Sequence, residues 1–202
     1  IEGHMMGMAI LNADYLDMKR FDIHGIIGYQ LFVRFAVKID YQRQVLTLME
    51  PEAYDPEGYE ALEVAIENSK PYINTEVCLP NQSKIPIRML IDTGGSFGIS
   101  LINGLNPDIQ PPENAERVRI GSGLGGKIQG FSGKAVLKLS QKLATESEAI
   151  FINHKDFSRK GHDPGKLGSI GNDLLKDFTV IFDYSNSKIL FQPNYQPELT
   201  KK

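Results

Sequence analysis

Gly25-Ile26-Ile27-Gly28-Tyr29 and Gly168-Ser169-Ile170-Gly171-Asn172 open two copies of one unit. From Gly25 to Leu48 and from Gly168 to Phe191 the chain aligns with itself without gaps, each residue meeting its mate 143 positions on. Gly25/Gly168, Ile27/Ile170, Gly28/Gly171, Leu31/Leu174, Phe35/Phe178, Val37/Val180, Asp40/Asp183 and Tyr41/Tyr184 are identical pairs. The pattern of each copy predicts a glycine turn, a short amphipathic helix (Tyr29 to Phe35, Asn172 to Phe178) and a β-hairpin. The hairpins are Ala36 to Tyr41 with Val45 to Leu48, and Thr179 to Tyr184 with Lys188 to Phe191.

The second copy follows more than a hundred residues of strand-rich sequence that have no counterpart before the first. The expected organisation is therefore uneven. Residues 1–5 read as a cloning remnant, 6–50 as the closing half of a first domain, 51–58 as a Pro- and acid-rich linker, 59–193 as a complete sister domain and 194–202 as a tail. In the complete copy Leu62, Val64 and Ile66 alternate with polar or small residues, as do Tyr72 to Leu79, and Asn81-Gln82-Ser83 supplies a turn before an apolar run from Ile85 to Ile91. The polar segment Asn106 to Glu116 leads to strands at Arg117 to Ile120 and Lys134 to Leu139, with a glycine loop between them. Helix is scarce, and the expected class is all-β.

Composition narrows the function. The 202 residues carry 22 Lys and Arg against 25 Asp and Glu, a formal net charge of −3, with no basic block to follow a phosphate backbone, so no nucleic-acid partner is expected. No apolar run reaches the roughly 20 residues of a membrane span. Cys78 is the one cysteine, which excludes an internal disulfide and a thiolate metal cluster. His24, His154 and His162 show no ligand spacing, and no metal is expected. Gly121-x-Gly123-x-x-Gly126 fits a dinucleotide fingerprint in spelling alone, because Lys127 to Leu139 is β-like where that fingerprint needs a helix; no cofactor is expected. Asp40 and Asp183 stand at strand ends before polar turns, where an Asp binds nearby backbone N–H groups. Asn172 and Asp173 suit the first turn of a helix as caps. The acidic run from Glu50 to Glu60 reads as a solvated linker.

The chemistry-bearing stretch is Leu90-Ile91-Asp92-Thr93-Gly94-Gly95-Ser96, an apolar strand that delivers a carboxylate into a glycine turn. It resembles the signature of the aspartic peptidases of retropepsin and pepsin type: two apolar residues, Asp, Thr or Ser, Gly, then Ala or Ser. Gly95 departs from that pattern. Ile120-Gly121-Ser122-Gly123-Leu124-Gly125-Gly126-Lys127-Ile128-Gln129-Gly130 is similar to the glycine-rich flap hairpin of bacterial members, and Ser169-Ile170-Gly171-Asn172-Asp173-Leu174-Leu175 to their hydrophobic-hydrophobic-Gly motif and following helix. The three come in the family's order over residues 59–193.

The resemblance implies a retropepsin-like acid-protease barrel with one short helix, preceded by the closing half of a homologous domain. It also implies a bacterial tandem protein of two lobes, sometimes followed by a peptide-binding PDZ module, and favours the cell envelope or periplasm. By the same resemblance Asp92 is catalytic, Thr93, Gly94, Gly95 and Ser96 form the active-site loop, and Gly121, Ser122, Gly123, Leu124, Gly125 and Gly126 form a flap over a peptide or protein substrate. Two carboxylates held together share one proton, so one acts as base on water and the other as acid. This chain holds one Asp-Thr-Gly. The second Asp is expected from a homodimer mate or from a first lobe outside this chain, and a monomer is expected to be nearly inactive. The competing expectation is a catalytically silent peptidase fold that binds extended peptides or mediates assembly.

Overall fold

The computed structural model describes residues 25–80, 84–123, 126–157 and 165–194. The first copy of the repeat forms helix α1 (Tyr29–Phe32) and strands β1 (Ala36–Asp40) and β2 (Val45–Met49). The body follows as β3 (Glu60–Glu63), β4 (Ala65–Glu67), β5 (Lys70–Cys78), β6 (Lys84–Ile91), β7 (Ile99–Asn103), β8 (Arg117–Gly123), β9 (Gly126–Lys138), β10 (Ala144–Asn153) and α2 (His154–Phe157). The second copy closes it with β11 (Gly168–Ile170), α3 (Asn172–Leu175), β12 (Phe178–Asp183) and β13 (Lys188–Pro193). The chain is all-β.

Both repeat helices are shorter than their pattern suggests, because Phe178 enters a strand and Phe35 lies just ahead of one. Besides α3, His154–Phe157 forms a further helical turn among the described residues, which Asn153 starts by accepting the N–H of Lys155 on its side-chain oxygen at 3.0 Å. Asn194, expected to begin the tail, is tied down instead. Its N–H donates to Asp177 O and its side-chain amide to Lys176 O, both at 2.9 Å.

Eight strands of the body run in the order β4-β5-β6-β11-β7-β10-β9-β8, and an added β5–β9 pairing closes six of them into a barrel. Closure removes the free edges that an open sheet would expose. The inward residues follow the period of two: along β6, Ile85, Ile87, Met89 and Ile91 are buried while their neighbours are not. Strand β11 lies between β6, to which it is parallel, and β7, to which it is antiparallel.

The repeat copies meet in a second sheet, β2-β1-β12-β13-β3. Strands β1 and β12 are antiparallel, with Val37 opposite Phe182, Lys38 opposite Ile181 and Ile39 opposite Val180. Lys38 and Ile181 are repeat mates, as are Val37 and Val180, and Ile39 and Phe182. The register therefore relates the copies by a local twofold axis through the Lys38–Ile181 pair. Residues 29–49 share this sheet with residues 178–193 and do not hang from a linker.

One face of the sheet joins the barrel core through Val37, Phe178, Val180, Phe182, Ile189 and Phe191. The other face buries Ala36, Ile181 and Leu190 under Met49, Tyr54 and Tyr59. The linker is thus a strap, and Tyr54 Oη donates to Asp183 Oδ2 at 2.8 Å. Asp183 also accepts from Asn186 N and Nδ2, and its mate Asp40 accepts from Arg43 N at 2.9 Å, so both carboxylates serve turns as their positions predict. Phe32 of α1 stacks on Tyr184 and meets Phe182 edge-on, each at 5.4 Å between centroids.

This arrangement predicts unequal costs for two truncations in the same sheet. Phe182→Ala, at a fully buried side chain, should destabilise the fold by about 3–5 kcal/mol. Leu46→Ala, at a side chain 48% exposed, should stay within about 0.5 kcal/mol. Urea unfolding of the two variants beside the parent chain measures both.

Candidate functional site

The site begins with β6, whose alternation ends at buried Ile91, so that Asp92 leaves the barrel wall at its rim. Asp92 is half-buried and lies outside the apolar core, while Thr93, Gly94 and Ser96 are exposed and Gly95 is half-buried. The turn is closed by two bonds of its own: Gly95 N donates to Asp92 O, and Gly94 N to Asp92 Oδ1, both at 3.1 Å. The second bond aims the carboxylate. Among the described residues no cation pairs with Asp92, and the Thr93 hydroxyl has no partner.

What fixes the turn comes from the second repeat copy. Asp92 N donates to Ile170 O at 2.8 Å, which joins the base of the turn to β11. In return Gly171 N donates to Gly98 O at 2.9 Å, Asn172 N to Gly95 O at 2.7 Å and Asp173 N to Phe97 O at 3.0 Å. The opening amides of α3, which have no acceptor inside a helix, are thus satisfied by carbonyls of the Asp92 loop. The expected side-chain caps are corrected on this evidence. Gly171 is the N-cap with no side-chain bond, and Asp173 turns outward to Lys176 Nζ at 2.9 Å. The backbone of one element does the work that a capping side chain would do elsewhere.

This approach leaves no room for side chains. A Cβ on Gly171 would lie 2.9 Å from Gly95 O and 2.7 Å from the Phe97 ring, with Phe97 O nearer still. A Cβ on Gly168 would lie 2.5 Å from Ser100 O. The departure at Gly95 has the same origin: a methyl there would meet Phe97 Cε1 at 2.5 Å. The ring of Phe97 fills the space a small side chain would take, a substitution invisible without the fold.

The glycine run is less of a loop than its composition suggests. Strands β8 and β9 carry pairing up to Ser122 opposite Lys127 and Gly123 opposite Gly126, with an irregularity between Arg119 and Ser122. Gly121, Ser122, Gly123 and Gly126 are therefore the end of a hairpin; Leu124 and Gly125 lie outside the described residues. Arg117 sits over the Phe131 ring at 5.7 Å, near the base of that hairpin. Phe97, which sequence reading passed over, belongs to the site; its signal was its place five residues after the carboxylate, next to Gly98.

No family model matches the chain, and no curated protein matches it. Among solved structures, the crystal structure of basic 7S globulin from soybean is similar at 12% identity with a TM-score of 0.43. The match covers 67% of this chain and 50% of that one, so the chain spans about half the length of that structure. No described helix is long and apolar enough to cross a membrane. Among the described residues no group of three or more His, Cys, Asp or Glu could hold a metal.

The two repeat glycines allow a paired measurement. Gly171→Ala, which forces a methyl into the Asp92 loop, should cost about 1–3 kcal/mol as an overpacked site does. Gly28→Ala meets nothing closer than Gln30 Oε1 at 3.9 Å and should change stability by less than about 0.5 kcal/mol. Equal losses in chemical unfolding would contradict this account of the loop.

Proposed function

We propose that residues 59–193 form one lobe of an aspartic endopeptidase, with Asp92 as one member of a catalytic carboxylate couple. The observation that carries this reading is the presentation of Asp92. An uncompensated carboxylate stands at a barrel rim, on a turn held by backbone bonds on both sides. An acid kept for structure would be expected to spend both oxygens on donors, as Asp183 does with Asn186 N on Oδ1 and Tyr54 Oη on Oδ2. Asp92 spends one on its own loop.

The chemistry follows from proximity. Two carboxylates a few ångströms apart cannot both ionise, so the couple holds one proton. The ionised member draws a proton from water, which attacks the scissile carbonyl, and the protonated member donates to the carbonyl oxygen. Exposed Thr93 offers a hydroxyl across to the second loop, and the β8–β9 hairpin lies over an extended peptide. The second carboxylate comes from a homodimer mate or from another lobe, which makes the isolated chain nearly inactive. The binding-module reading keeps the same loop and hairpin and loses only the chemistry.

Peptidase activity measured across a range of protein concentration separates the cases. Activity that rises steeply with concentration and falls on the order of 10² to 10⁴-fold in Asp92→Asn is expected if two copies complete the site. Near-zero activity at every concentration is expected if another lobe completes it. Concentration-independent cleavage by a proven monomer, or full activity in Asp92→Asn, defeats the proposal.

A further inference from the structure

Gly94 and Gly95 follow Asp92 directly, and two successive glycines give a chain its widest choice of backbone conformation. The bonds inside the turn, Gly95 N to Asp92 O and Gly94 N to Asp92 Oδ1, are each 3.1 Å long. Gly94 is exposed, so water competes for its bond to the carboxylate. The bonds to α3 draw the loop towards that helix, with Asn172 N on Gly95 O at 2.7 Å and Asp173 N on Phe97 O at 3.0 Å. Attraction alone does not fix a position. A stop is needed, and the side chain of Phe97 stands where a stop acts.

The half-buried ring of Phe97 lies between two glycines. Its Cε1 is 2.5 Å and its Cζ 2.8 Å from the place of a Cβ on Gly95, while Cδ2, on the opposite edge, is 2.7 Å from the place of a Cβ on Gly171. One edge bears on the Asp92 loop and the other on the N-cap of α3. The backbone of Gly95 is not left-handed, so conformation does not demand glycine there; the ring does. The ring also has a firm footing. Gly98, the next residue, is buried, gives its carbonyl to Gly171 N at 2.9 Å and has Ser147 Oγ of β10 standing where its own Cβ would point.

We infer that Phe97 is a positioning residue for the Asp92 carboxylate: its ring, wedged between Gly95 and Gly171, fixes the Gly94-Gly95 segment whose N–H holds Asp92 Oδ1. One residue thus supplies a carbonyl that draws loop and helix together and a ring that keeps them apart. The wedge stands on these contacts alone; its bearing on cleavage rests on the peptidase reading. It also makes positions 95 and 97 a matched pair, because a side chain at 95 needs the ring gone.

The test uses the whole chain and reads loop order apart from stability, by nitrogen-15 relaxation at Gly94 and Gly95 well below the unfolding midpoint. In Phe97→Ala the order parameters of both glycines should fall from about 0.85 to below about 0.6, while those of β5 and β6 hold. Phe97→Tyr keeps both ring edges and should keep the parent values. Phe97→Leu keeps apolar bulk without the ring, should lose the same order, and stands in for Phe97→Ala if that chain does not fold. Gly95→Ala should lower the folding equilibrium constant about tenfold or more in the parent, yet leave it unchanged or raised beside Phe97→Ala or Phe97→Leu. Glycines that stay ordered in a less stable ring-free variant make the ring plain packing and overturn the inference. So does an equal cost of Gly95→Ala in both backgrounds. Where the parent cleaves peptide, the ring-free variant should lose about tenfold or more in kcat with KM within about twofold, and an unchanged kcat beside a disordered loop defeats the positioning role. Loss of loop order in a protein whose parent cleaves nothing supports the wedge and counts against the proposed function alone.

Discussion

The close approach of the Gly171 backbone to the loop between Asp92 and Gly98 is the constraint on which the rest depends. It requires glycine at 171, because any Cβ would collide with carbonyls at Gly95 and Phe97. It satisfies the opening amides of α3 without a capping side chain, and it ties the exit of β6 to the exit of β11. Buried backbone groups must find partners, so a turn at a barrel rim is rigid only if another segment accepts and donates there. The second repeat copy is that segment. It acts as a clamp on the carboxylate as well as a lid on the barrel.

The same clamp organises the wider fold. Soon after α3 the chain enters β12, buried along all six of its residues, with Phe182 and Val180 facing the barrel and Ile181 facing the strap of residues 50–59. Burying a large apolar side chain contributes about 1.5–3 kcal/mol, so this short strand carries a disproportionate share of the stabilisation. Because β12 also pairs with β1, the stiffness of the Asp92 turn and the docking of the first repeat copy share one sheet. A lesion in β12 reaches both.

Much of this was legible in the residues. The repeat showed itself by glycine spacing and by identities such as Phe35/Phe178, and the apolar run from Ile85 to Ile91 marked β6. The Asp92 turn was legible because strand, carboxylate and glycines are contiguous. What could not be read was set by contacts distant in sequence. The insertion of β11 between β6 and β7 leaves no local trace, since Gly168–Ile170 is only three residues long. Phe97 looked like an ordinary apolar residue, and its ring position explains Gly95 only once α3 is folded against it. The glycine run at 121–130 reads as a loop by propensity, yet cross-strand pairing extends strands into it. The second helix at His154 depended on the side chain of one residue, Asn153, turning back on the chain.

The unequal burial of two segments built on one plan bears on how a carboxylate can be kept aimed. A shared proton demands that two oxygens stay within hydrogen-bond reach, where an ångström of drift costs orders of magnitude in rate. A side chain on a mobile loop does not meet that demand. A turn whose carbonyls are held by the opening amides of a helix does, and here each amide donor sits on a segment that continues into the shared sheet.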